Sequence, residues 1–316
     1  MTQAPPRVLA LTGATGFLGG RIAAAALADG WRVRALARPG KGGAGHARLP
    51  AGVEAVAGDL GDMAALARLV AGADAVIHNA GLVRARTSAA FMAINRDGAT
   101  RAAAAAAAAQ SAPFVLISSL AAQRPDISAY AASKAAAEAS VRATLAGRPL
   151  AILRPPAIYG AFDAATKPLF DAFRRGVSPV LGRRDARFAM IYVEDAARAA
   201  LAAIAAASPA GPVFEIDDGA GGHDWAAVRR AAETATGGKL ISLPVPSCAI
   251  GILGRLGSTV AALGLATPFL TAGKAREMLA GDWIADPALA LPGWSAEYPL
   301  HLGFQATLAC YRKAIR

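Results

Sequence analysis

The octet Thr12-Gly13-Ala14-Thr15-Gly16-Phe17-Leu18-Gly19 decides how the chain reads. Its glycines are spaced G-x-x-G-x-x-G. Residues 7–12 before it, RVLALT, form an apolar, strand-like run. Residues 17–28 form an apolar helical run that Gly30 stops. A glycine turn held between a strand and a helix has a mechanical reading. Gly13 permits the tight turn, Gly16 lets backbone amides approach a pyrophosphate, and Gly19 permits close helix–strand packing. The helix N-terminus adds partial positive charge. With Thr15, Phe17 and Leu18 these glycines form the expected dinucleotide-binding turn.

Working outward, further strand-like runs fall at 32–37, 53–57, 74–78, 113–118 and 150–154, and helical runs at 62–71, 90–109 and 128–146. Strands alternating with helices at this spacing predict βαβ units and a parallel, doubly wound sheet. The runs AVIHN and FVLIS are almost wholly apolar, as strands buried on both faces require. After residue 154 the alternation becomes irregular. Strands are predicted at 188–192 and 213–216, a helix at 194–207, and the last third reads as helical and apolar. The expected architecture is α/β: a core over 1–160, and a smaller, mostly helical substrate lobe over 161–316. Residues 187–217 are expected to return a strand and a helix to the core.

Composition excludes several classes. Hydrophobic residues make up 55% and charged residues 17% of 316, which suits a large buried core and not a disordered chain. The net charge of +11 comes from scattered cations rather than a dense basic stripe, so no nucleic-acid partner is expected. Cys248 and Cys310 form no CxxC pair, so neither a disulfide framework nor a metal site is expected. The polar start at 1–7 argues against a cleaved signal and for a cytoplasmic location. Between 240 and 273 the only charged residue is Arg255. Pro244, Pro246, Pro268 and several glycines interrupt that stretch, so it reads as a pair of buried helices rather than a membrane span. The alternative is an apolar lid or membrane-surface element.

The end of the second strand bears on the cofactor. An acidic residue there would bind the ribose 2′-hydroxyl of NAD. The chain instead carries Arg38 and Lys41, which can pair with a 2′-phosphate, so NADP(H) is preferred over NAD(H). Asp59 and Leu60 are placed to meet the adenine, and Asn79, Ala80 and Gly81 to approach from the other side. A second motif is Tyr130-Ala131-Ala132-Ser133-Lys134. Positions four apart share a helix face, so Tyr130 and Lys134 point together. The ammonium and a nicotinamide cation are expected to lower the Tyr130 pKa and fit it for proton transfer. Ser118 and Ser119 end the fifth strand, where a hydroxyl can bond the reacting oxygen.

Taken together, these motifs resemble those of the extended or atypical short-chain dehydrogenases/reductases, in the epimerase/dehydratase branch. The likeness also runs through GDL at 58–60, HNAG at 78–81, INRDGAT at 94–100, LRPPAIYG at 153–160 and YVEDAARA at 192–199. It implies a Rossmann fold, Ser119, Tyr130 and Lys134 as catalytic residues with Asn95 organising the site, and Pro155 and Ile158 lining the nicotinamide. Ser118 falls on the cofactor side. Lys134 would also hold the ribose. Two substrate classes fit the branch. Ala157 stands where nucleotide-sugar enzymes carry an asparagine, which counts against a nucleotide-sugar epimerase or dehydratase. The apolar C-terminal third resembles reductases of sterols, hopanoids or 3-oxo lipids, including the bacterial enzymes that reduce an oxidised ceramide. A lipid substrate implies a small-molecule partner met at the inner face of an anionic membrane. A non-catalytic NADPH-binding subunit of a membrane complex is the further alternative. Family habit implies a homodimer. His46, His223 and His301 are expected at the surface or at caps, His78 in packing or the cofactor loop, Trp283 and Trp294 in lobe packing, and Cys248 as a small buried hydrophobe.

Overall fold

The computed structural model describes residues 6–39, 49–110 and 113–313. Strands β1 (Val8–Thr12), β2 (Arg32–Ala37), β3 (Glu54–Ala57), β4 (Ala75–His78), β5 (Phe114–Ile117) and β6 (Leu150–Arg154) alternate with helices. The helices are α1 (Phe17–Ala28), α2 (Met63–Val70), α3 (Ser88–Phe91), α4 (Asp97–Ala108) and α5 (Ala129–Thr144). Then come β7 (Ala157–Tyr159), α6 (Lys167–Arg174), β8 (Val177–Leu181), β9 (Met190–Tyr192), α7 (Val193–Ala206) and β10 (Val213–Glu215). The chain ends with α8 (Trp225–Thr236), β11 (Ile241–Val245), α9 (Ser247–Ala262), α10 (Ala272–Leu279) and α11 (Leu300–Lys313).

Seven strands form one sheet in the order β10-β6-β5-β4-β1-β2-β3, every neighbouring pair parallel. This is the doubly wound Rossmann arrangement. The order reverses between β1 and β4, which opens a crevice at the carboxyl ends of those strands. One face of the sheet is covered by α1 and α7, the other by α2, α4 and α5. Alanine serves close packing here. Ala23 and Ala26 of α1, and Ala196, Ala197, Ala199, Ala200 and Ala203 of α7, are all buried, so the two helices approach tightly over the sheet. Ala102, Ala103, Ala105 and Ala106 of α4 do the same on the other face.

The differences from expectation have local causes. The helix predicted over 90–109 is interrupted by a π-helical turn at Met92–Arg96, which turns Asn95 inward. Three strands were not predicted. β7 has only three residues, and β8 and β11 pair only with each other, carrying Pro179 and Pro244, which such marginal strands tolerate. Residues 187–217 return α7 and β10 to the main sheet, while β9 pairs with β7. The stretch 240–273 forms one exposed strand and the helix α9 instead of two buried helices, and Cys248 on it is exposed rather than buried. His223 is buried and bonded to Asp218 at 2.7 Å, not a surface residue. His301 is exposed as expected. Trp283 packs under the Arg124 guanidinium, and Trp294 lies against the main core. Lys41 and His46 lie outside the described residues.

Candidate active site

The glycine turn is held by backbone contacts that leave no room for side chains. Gly13 takes φ +77°, and a Cβ there would lie 2.8 Å from the Ala80 amide nitrogen. A Cβ on Gly19 would lie 2.0 Å from the Gly13 carbonyl oxygen and 2.7 Å from Nδ2 of Asn79. Gly16 caps α1 with no side-chain partner, and it is exposed. The first-turn amides therefore face the crevice, the donor set a pyrophosphate takes. Thr15 and Phe17 are partly buried beside it, and Leu18 is buried in the core. Thr12 ties the two strand ends together. Its hydroxyl accepts from Asn79 N at 3.2 Å and Ala80 N at 3.1 Å, and so gives its hydrogen to Nδ1 of His78 at 3.0 Å. Burial, with the nearby Lys134 charge, lowers the His78 pKa to about 3. His78 is therefore neutral and stacked on Phe114, a packing residue as expected.

Around the turn, Arg38 is exposed at the end of β2 and has no ion-pair partner among the described residues. Asp59 is exposed, with Oδ1 accepting from Gly61 N at 2.7 Å. Leu60 differs: its side chain is buried against α4, where a Cβ on Gly98 would come within 2.7 Å of it. Asn79 Nδ2 reaches the Gly13 carbonyl at 3.4 Å, and Ala80 and Gly81 follow at the crevice rim. These surroundings fit a dinucleotide: a side-chain-free cradle, uncapped helix amides and no carboxylate on β2.

Ser119, Tyr130 and Lys134 come together beyond the ends of β5 and β6. Ser128 caps α5, its hydroxyl accepting from Ala131 N at 3.0 Å, which starts the helix two residues before Tyr130. The Tyr130 ring meets Phe91 edge-on at 6.0 Å, and its hydroxyl is in hydrogen-bond contact with Ser119. Lys134 is buried, and Nζ donates to the Ile117 carbonyl at 2.6 Å. Burial pulls the Lys134 pKa down to about 8, Glu138 opposing. Tyr130 departs from expectation. Burial pushes its pKa up to about 12, and the Glu277 charge adds to the rise while Ser119 opposes it. The ammonium that was expected to lower it is turned to the Ile117 carbonyl. A hydroxyl kept protonated at neutral pH is a proton donor.

Asn95 is buried and fully bonded: Nδ2 to the Leu82 carbonyl at 3.0 Å and to Oγ of Ser133 at 2.9 Å, with Oδ1 accepting from Leu82 N at 2.7 Å. It locks the loop after β4 onto α5. Ser118 is also engaged inside the protein, donating to Glu138. Pro155 is buried, and its carbonyl accepts from Leu120 N at 3.0 Å; Ile158 is partly buried against the core.

Several positioning residues escaped the sequence reading. Arg154 grips Glu138 with two bonds, 2.9 and 2.7 Å, and reaches Glu215 at 3.2 Å. Glu215 also accepts from Gln123 Nε2 at 2.6 Å and from Asp286 N at 2.9 Å. With Ser118 bonded to Glu138, this network joins the end of β5 to β6, β10 and α5. Glu138 stands four residues after Lys134, so its helix face was legible; its partner was not. Glu277 accepts from the capping Ser128 and is paired with Lys274 Nζ at 2.8 Å, so α10 braces the start of α5, the helix that carries Tyr130 and Lys134.

Residues 9–217 match the NAD dependent epimerase/dehydratase family. The chain is 45% identical over 313 residues to a ceramide reductase of Caulobacter vibrioides, covering 97% of this chain and 95% of that protein. Among solved structures it is similar to gox2253, with a TM-score of 0.76, 20% identity and coverage of 98% and 99% of the two chains. It is also similar to a UDP-glucose 4-epimerase of Thermotoga maritima, with a TM-score of 0.72, 19% identity and coverage of 98% and 100%. At these identities the structural likenesses speak for the fold alone. Among the described residues, no helix is long and apolar enough to cross a membrane.

Proposed function

The chain belongs to the NAD-dependent epimerase/dehydratase family and is an NAD(P)-dependent oxidoreductase; from that premise we propose that it reduces the ketone of a hydrophobic 3-oxo lipid, of oxidised ceramide, sphingoid or sterol-like type, with NADP(H) preferred over NAD(H). The observation that carries the substrate class is the likeness to a ceramide reductase along nearly the whole chain, the C-terminal third included. Ala157, in place of an asparagine suited to a nucleotide, supports the lipid over a nucleotide sugar. Arg38 at the end of β2, with no carboxylate beside it, supports the 2′-phosphate. In this reading 1–160 holds the dinucleotide and 161–316 encloses the substrate.

NADPH, when bound, supplies the hydride to the carbonyl carbon. Gly13, Thr15, Gly16, Phe17, Leu18 and Gly19 cradle its pyrophosphate, with Asp59 and Leu60 at the adenine and Asn79, Ala80, Gly81, Pro155 and Ile158 along the remainder. Leu60 serves there through its backbone, because its side chain is buried in the core. Ser119 Oγ bonds the carbonyl oxygen and orients it. Tyr130, protonated because burial holds its pKa near 12, gives its proton to that oxygen as the alcohol forms. The Lys134 ammonium, anchored on the Ile117 carbonyl, would hold the ribose hydroxyls. Asn95 keeps α5 and the loop after β4 in register. Ser118, bonded to Glu138, supports the cofactor side from within. The protein acts as a homodimer in the cytoplasm, at the inner face of the membrane that carries its substrate.

The test is NADPH oxidation with a long-chain 3-oxo ceramide or sphingoid in detergent, beside Tyr130→Phe. Turnover falling at least about 100-fold in the variant, with NADPH affinity retained, is expected from loss of the general acid. No turnover by the wild type while NADPH binds tightly would overturn the lipid reading and favour a nucleotide sugar or a non-catalytic subunit.

A further inference from the structure

The helix α9 is built inside out for a protein surface. Its inward face is small: a Cβ on Gly254 would lie 2.7 Å from the Ala275 Cβ, and one on Gly257 would lie 2.0 Å from the Leu270 carbonyl oxygen. Ala261 is also buried, and Ile250, in the first turn, is the one large aliphatic residue of α9 that is fully buried. Three of its larger aliphatic residues, Ile252, Leu253 and Leu256, point outward instead and are each more than half exposed. Leu263 and Leu265, just beyond the helix, are more exposed still. Water-facing helices bury their large aliphatics, so a contiguous patch of this kind marks a contact surface.

The surroundings choose the occupant. Arg86 donates to the Gly264 carbonyl at 3.1 Å, and the Arg84 guanidinium lies 5.8 Å from the Phe269 ring. These contacts bring the loop after β4, with exposed Val83, against the end of α9. Arg84, Arg86 and Arg255 have no carboxylate partner among the described residues. No Asp or Glu occurs in 79–96 or 240–276. A two-fold contact with a second copy would set these arginines against their equivalents, where like charges repel. An anionic lipid surface accepts both the leucines and the arginines. No described helix can cross the bilayer, so the contact is peripheral.

We propose that the outward face of α9, extended through Leu263, Leu265 and Val83 and rimmed by Arg84, Arg86 and Arg255, docks the protein on an anionic bilayer. The loop that joins this face runs directly from Asn79-Ala80-Gly81, so docking presents the crevice rim to the membrane. The surface stands on its own residues whether or not the substrate is a lipid, so vesicle binding and ketone reduction fail separately. The full-length protein is sedimented with vesicles of phosphatidylcholine, and of phosphatidylcholine with phosphatidylglycerol. Binding to the anionic vesicles that weakens with salt is expected. Leu253→Ser/Leu256→Ser should lower the partition constant at least about tenfold. Arg255→Glu should narrow the preference for phosphatidylglycerol. Thermal melting and NADPH fluorescence should be unchanged in both variants, since all three side chains face outward. Wild-type protein left in the supernatant with both vesicles overturns the proposal. So does a dimer in sedimentation velocity that the leucine variant dissolves while neither protein binds vesicles.

Discussion

Lys134 carries a charge where burial opposes one. It is 8% exposed, and its pKa is drawn from the ordinary 10.5 to about 8, chiefly by loss of water around the ammonium. At roughly 1.4 kcal/mol per pH unit, that displacement means that the folded protein gives up about 3 kcal/mol at pH 7 to keep the group protonated. The sign follows from the two pKa values. Between about 8 and 10.5 the unfolded chain holds a proton that the folded chain has released, so wild-type stability rises with pH across that window. Lys134→Met keeps the length of the side chain and removes the titration. It also removes the 2.6 Å bond to the Ile117 carbonyl, which costs about 1–3 kcal/mol when the acceptor is left buried. The variant should therefore equal or exceed the wild type by about 0–2 kcal/mol at pH 7. The difference should then move against methionine by about 2–3 kcal/mol on going to pH 10, whatever the bond is worth. Urea unfolding of both proteins, followed by circular dichroism at several pH values from 7 to 10, measures this directly, because groups common to both cancel. A difference that stays flat, or that grows in favour of methionine as pH rises, refutes the reasoning.

Other substitutions test other parts of the site. Arg38→Asp should weaken NADPH binding at least about tenfold relative to NADH, by loss of charge-assisted bonds and gain of repulsion; an unchanged ratio of dissociation constants, read by fluorescence titration, removes Arg38 from the 2′-phosphate. Gly19→Ala places a Cβ 2.0 Å from a backbone oxygen. The turn must shift, so NADPH affinity should drop by about tenfold or more, and retained affinity would show that the turn is not the pyrophosphate site. Arg154→Met leaves two buried carboxylates, Glu138 and Glu215, without their cation, and should destabilise by about 3–5 kcal/mol in urea unfolding. A loss under about 1 kcal/mol would mean that water, not Arg154, satisfies them.

Local patterns were legible in the chain itself. Strand and helix alternation, the glycine spacing and the four-residue step from Tyr130 to Lys134 are short-range, because backbone geometry ties neighbouring residues to one face or one turn. From these the doubly wound sheet, the crevice at its strand ends and the placing of Tyr130 and Lys134 on one helix are legible in the sequence. The edge strands β8 and β11 were not legible, since their pairing partner lies some sixty residues away and each carries a proline. The ionisation of Tyr130 was misjudged for a related reason. The sequence places a lysine near it, but only the fold turns that lysine to the Ile117 carbonyl and brings Glu277, on α10, into range.

The outward leucines of α9 show the same division from the other side. By itself the sequence determined that 240–273 is apolar and nearly free of charge. Composition is the same whether such residues point in or out. Only the tertiary structure decided their direction, because Gly254 and Gly257 pack so tightly on the segment 270–275 that the face they occupy has no room for large side chains, and Ile252, Leu253 and Leu256 are left on the water-facing one.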